Sequence, residues 1–156
     1  MDNSVIRDQL LALLEGGNAH ITFERAITDF PMDQINARVP EIPYSVWELI
    51  EHMRIAQYDI LDFIKNPDYE ERKWPDDYWP SKDIKANEKS WNQTIQHFND
   101  DLAALKACIN DPQTDFTAPI PHAPDYNILR EILVVADHNS YHTGQIIVIR
   151  RALKIY

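Results

Sequence analysis

Cys108 is the sole cysteine among 156 residues, which excludes an internal disulfide and gives no sign of a secreted, stapled scaffold. Basic residues are in the minority, with 15 Lys and Arg against 25 Asp and Glu and a formal net charge of −10. No Lys/Arg cluster stands out beyond short pairs such as Arg150 and Arg151. Phosphate backbones repel a chain this acidic, so nucleic acid is not an expected partner. No apolar run approaches the roughly 20 residues that a membrane-spanning helix needs, so no membrane partner is expected either. Acidic Asp2 and the short LLALL patch do not read as a secretory leader, and the expected compartment is the cytoplasm. Internal repeats, low-complexity tracts and sustained period-two alternation are also missing.

What is present suits an all-α chain. Apolar residues make up 44%, with four Trp, seven Tyr and five Phe, enough to bury a sizeable core, and 156 residues fit one domain over 1–156. The ten prolines fall within 31–43, 67–80 and 112–124. Proline lacks an N–H donor and clashes inside a helix, so these stretches read as connections. They leave four proline-free segments, 1–30, 44–66, 81–111 and 125–156, and so predict a four-helix bundle with a long connection between the second and third main helices. Ser45 and Glu48 in SVWE form a capping-box signal for the second helix. Trp91, Ile95, Phe98, Leu102, Leu105 and Ile109 recur at steps of four and three, as a packing seam does. The last helix can start at Asp125 or Asn127 and run to about Leu153. Gly16-Gly17-Asn18 splits the first segment into helices at about 4–15 and 19–29, with Asn18 as a cap for the second.

Chemistry concentrates in the histidines. In VVADHNSYHTGQIIVIRRAL, His138 and His142 lie four residues apart, about 40° around one helix face. Two imidazoles at that spacing reach one metal ion, although the spacing also arises by chance. Known motifs are excluded by their missing parts. A zincin needs Glu after the first His, where Asn139 stands. Di-iron bundles need Glu three residues before His, and none of the six histidines has it. A zinc finger needs cysteines. The best third ligand is His52, on the inward stripe with Leu49, Ala56 and Phe63. A buried imidazole without a partner costs ~1–3 kcal/mol, and one cation would satisfy three rings while leaving positions open for water or substrate. Glu48, Asp59 and Glu131 lie on nearby stripes; their ordinary reading is solvated surface charge, their functional one the orientation of a ligand ring. His20 could add a polar group over the metal and His122 could line its mouth; the ordinary reading of both is an exposed imidazole. Trp74, Tyr78 and Trp79 read as pins for the long connection or as a wall for an apolar substrate. Tyr141 projects away from the ligand stripe and is free to hydrogen-bond another helix. Cys108 reads as a small hydrophobe rather than a nucleophile.

These features resemble the DinB/YfiT-like superfamily of four-helix-bundle metalloproteins. The resemblance rests on S-x-W-E-L-x-E-H at Ser45–His52 and D-H-N-x-Y-H-x-G-Q at Asp137–Gln145, with N-A-H-I-T-F-E-R-A near the start and P-I-P-H before the last helix. It implies that His52, His138 and His142 bind one divalent ion, nickel or zinc, and that the chain forms a homodimer. It also implies a metal-dependent hydrolase, or a transferase using a low-molecular-weight thiol, acting on a small-molecule substrate. The alternative is a non-catalytic metal-binding dimerisation module. An anionic thiol needs basic residues at the pocket mouth, for which Arg130, Arg150 and Arg151 are candidates.

Overall fold

A computed structural model describes residues 4–156. It contains four long helices, α1 (Ser4–Glu15), α3 (Val46–Lys65), α4 (Glu88–Asn110) and α5 (Ile128–Ala152), and a short α2 (Phe23–Ile27). α3 packs on both α4 and α5, and α1 closes the bundle against the same two helices. Buried apolar residues from all of them form one continuous cluster, from Leu10 and Leu14 through Leu49, Met53 and Phe98 to Ile132, Ile146 and Ile149.

The helix starts follow their caps. Ser45 Oγ accepts from the Glu48 N–H and the Glu48 carboxylate accepts from the Ser45 N–H, which completes the capping box of α3. Asn127 accepts from the Arg130 N–H and begins α5. The seam of α4 faces inward at Trp91, Phe98, Leu102, Leu105 and Ile109, with Ile95 partly buried at its edge.

Three expectations need correction. The short α2 begins at Phe23, capped by Thr22 rather than Asn18. Gly16 and Gly17 both hold positive φ, 70° and 82°, a backbone shape that favours glycine. The turn they make carries Asn18 back to α1, where its amide donates to the Ala12 carbonyl. The third long helix starts only at Glu88, because an Asn87–Ser90 capping box sets its end. The connection from α3 to α4 therefore runs over residues 66–87. Finally, Pro119–Ile120 and Ala123–Asn127 pair as a small antiparallel hairpin, β1 and β2. Three prolines in nine residues hid it from a pattern reading, since proline lacks the ladder donor.

No described helix is long and apolar enough to cross a membrane.

Candidate metal centre

α3 and α5 lie side by side, and their facing stripes bring His52, His138 and His142 together. Their ring centroids are 5.0, 4.9 and 4.4 Å apart. One ligand nitrogen from each lies within 4.8 Å of the others. His52 and His142 are buried and His138 is half-buried.

The hydrogen bonds decide what each ring offers. His52 Nδ1 donates to the Tyr78 carbonyl at 2.8 Å. His142 Nδ1 donates to Gln145 Oε1 at 2.7 Å. A neutral imidazole has one N–H, so in both rings Nε2 keeps a lone pair. His138 Nε2 stands 3.1 Å from His52 Nε2. Two nitrogens bound to one divalent ion at about 2.0–2.1 Å each stand about 3 Å apart, so that spacing suits a shared cation. Burial lowers the pKa of all three rings, and for His138 the charges of His142 and His52 add to it, pushing it to about 3. The rings are therefore neutral near pH 7, the form that ligates a metal. Donor set, spacing and protonation all fit one divalent ion.

Trp79 covers the His52 ring with its planes nearly parallel, centroids 4.1 Å apart, and Tyr44 stacks in turn on Trp79 at 5.1 Å. Beyond this ladder lies a cleft of about 530 Å³ bordered by Pro43, Tyr44, Pro75, Trp79, Pro80 and Lys82. The long connection is thus pinned to the bundle, and Trp79 lies between the His52 ring and this cleft. Tyr141 meets His142 edge-on at 5.0 Å and projects to solvent, 63% exposed, rather than bonding another helix. Trp74 is exposed and rests on Tyr78.

Glu48, Asp59 and Glu131 are buried, not solvated: 6%, 7% and 3% exposed. Each carboxylate is matched by an arginine, Arg38 at 2.7 Å, Arg72 at 3.2 Å and Arg130 at 2.6 Å respectively. Arginine pairing makes such burial tolerable. The three carboxylates bond arginines, tyrosines and a backbone N–H rather than the histidine rings, so none orients a ring directly. Asp59 acts one step removed. It accepts from the phenols of Tyr69 and Tyr78, at 3.1 and 2.6 Å, and Tyr78 supplies the carbonyl that holds His52.

The other candidates lie elsewhere. His20 donates from Nδ1 to the Ile21 carbonyl, and its Nε2 pairs with Ser140 Oγ at 2.9 Å. This ties the α1–α2 turn to α5, in a cavity of about 260 Å³. His122 Nε2 donates to the Phe63 carbonyl at 2.9 Å and so fastens the hairpin to the end of α3. Arg130 is held by Glu131, Arg150 by the carbonyls of Ala26, Thr28 and Ile155, and Arg151 lies over Tyr156. Cys108 is half-buried.

Sequence reading missed two ring-holding groups. Gln145 had a signal, since it lies three residues after His142 on the same helix face. The Tyr78 carbonyl had none, because a backbone oxygen 26 residues away leaves no mark in side-chain pattern.

A helical bundle with three neutral imidazoles turned toward one another across two helices defines the class. Residues 18–146 match the model of the DinB superfamily, and the chain belongs to that superfamily. No curated protein and no solved structure matches it.

Proposed function

We propose that this protein is a metal-dependent hydrolase of a small molecule, with one divalent ion, nickel or zinc, held by His52, His138 and His142. The observation that carries this reading is the convergence of three neutral rings, two of them locked by Nδ1 donation so that Nε2 is presented. Such an ion supplies Lewis acidity and activates water as a nucleophile near neutral pH.

The chain's own groups do the rest. Tyr78 and Gln145 hold two ligand rings in one tautomer. Trp79 and Tyr44 border the neighbouring cleft, where they add apolar lining for a substrate. Burial, and then the nearby Tyr141, raise the Tyr44 pKa, so its phenol stays protonated as a hydrogen-bond donor. Hydrolysis is favoured over thiol transfer because Arg130 and Arg150 are engaged with partners of their own and Lys82 is the one basic residue bordering the cleft to receive an anionic thiol. The non-catalytic alternative predicts bound metal without turnover.

We also propose a cytoplasmic homodimer with neither nucleic acid nor membrane as partner. Val134, Tyr141 and Val148 are exposed at seven-residue intervals along α5, and this apolar stripe suits a second copy.

The test is an esterase and amidase screen on nickel- and zinc-loaded protein, with His142→Ala as control. Turnover that disappears in the variant supports the hydrolase; bound metal without turnover in any screen supports the module.

A further inference from the structure

Gln57 is 1% exposed, and its amide direction is fixed. Its Nε2 donates to the Phe98 carbonyl at 2.7 Å, and its Oε1 accepts from Asn139 Nδ2 at 2.9 Å. The amino group of Asn139 is thereby committed. Its Oδ1 is left shielded from solvent and without a partner. A buried carbonyl without a donor is unusual in a folded protein and points to a donor present in another state of the site. The donor at hand is the chain neighbour, His138, whose ring lies within hydrogen-bonding reach of the Asn139 side chain.

The proton positions follow from geometry. His52 must keep its N–H on Nδ1, because the Tyr78 carbonyl only accepts. Its Nε2 therefore carries a lone pair, aimed at His138 Nε2 from 3.1 Å. Without a cation, that pair is satisfied when His138 carries its proton on Nε2. Its Nδ1 then holds a lone pair and has nothing to give Asn139. When a cation takes both Nε2 lone pairs, the single proton of neutral His138 resides on Nδ1 instead. The shift moves one proton between two nitrogens of one ring and changes no charge.

We propose that Gln57 and Asn139 are positioning residues for the metal centre: Gln57 orients the Asn139 amide so that Oδ1 accepts from His138 Nδ1 and holds that ring in the tautomer that presents Nε2 to a cation. His138 then has the counterpart of what Tyr78 gives His52 and Gln145 gives His142. Acceptors of this kind commonly fix metal-bound histidines. The inference rests on the metal reading above.

Zinc is the probe, added to the 156-residue chain at about pH 7.5. Affinity is read by competition with a chromophoric chelator, and the His138 tautomer by long-range 1H–15N correlation. The expected result is an Nε2 proton on His138 in zinc-free protein and an Nδ1 proton in zinc-loaded protein. Asn139→Leu weakens zinc binding by about 10- to 100-fold with helicity unchanged, and Gln57→Leu weakens it in the same direction. Asn139→Asp, which keeps an acceptor oxygen for His138 but loses the donor to Gln57 Oε1, binds zinc more tightly than Asn139→Leu. This rescue, with the tautomer read in the wild type, decides the matter even if the leucine variant folds poorly. Equal zinc affinity in Asn139→Leu, or an Nε2 proton on loaded His138, overturns the relay and leaves the metal site standing. A wild-type chain that binds no zinc overturns the metal reading and the relay together.

Discussion

Three imidazoles packed together without counter-charge make His138 an acid-sensitive residue. Burial, then the charges of His142 and His52, push its pKa from the ordinary 6.5 down to about 3, and burial lowers the other two rings as well. The unfolded chain therefore binds protons between pH 6.5 and about 3 that the folded chain refuses. Stability is full above the unfolded value and falls as pH drops through that window. Urea unfolding of chelator-treated protein should show a lower midpoint at pH 5 than at pH 7.5, with a smaller difference in His138→Ala. A midpoint that does not move between those values would count against the packed, neutral cluster. The sequence made the three rings legible as a set, because four-residue spacing on α5 and the inward stripe of α3 are both periodic signals. It could not show that Asn139, one residue from a ligand, is tied to Gln57, since that contact spans 82 residues and follows no period.

At the scale of elements, the connection over 66–87 matters most. Asp59 on α3 gathers Tyr69, Tyr78 and Arg72, and the gathered segment delivers the Tyr78 carbonyl and the Trp79 ring to His52. Asp59→Ala leaves two phenols and a guanidinium without their acceptor. It should destabilise the fold by about 1–3 kcal/mol and weaken metal binding, measured by denaturant unfolding and by chelator competition. Loss of stability with metal affinity intact would mean that the strap pins the bundle without positioning His52. The cap of α3 makes a smaller, cleaner test: Ser45→Ala should cost about 1 kcal/mol with the metal site unaffected. Sequence reading located α3, the α4 seam and, as one of two possible starts, the Asn127 cap of α5, because caps and apolar periods are local. It missed the burial of Glu48, Asp59 and Glu131. Each is buried through an arginine whose partnership depends on the fold; only Glu48, as a capping-box member, had a local sign of its position.

For the whole molecule, a cation shared by His52 and the α5 pair would clasp two helices that lie side by side. Ligands that bind only the folded state raise its stability with concentration, so zinc or nickel should raise the melting temperature of wild-type protein and not that of His142→Ala. The exposed Val134, Tyr141 and Val148 stripe on the outer face of α5 is the proposed dimer surface. Light scattering should find twice the monomer mass in the wild type and a monomer in Val148→Lys; a wild-type monomer at high concentration would remove that proposal without touching the metal site. The most direct test of the central claim is elemental analysis of protein purified without a histidine tag, with His52→Ala and His142→Ala prepared alongside. The account predicts about one equivalent of a divalent metal per chain, absent from both variants while their helical content is kept. Wild-type protein that holds no metal even after reconstitution, or variants that keep it, would contradict the three-histidine centre.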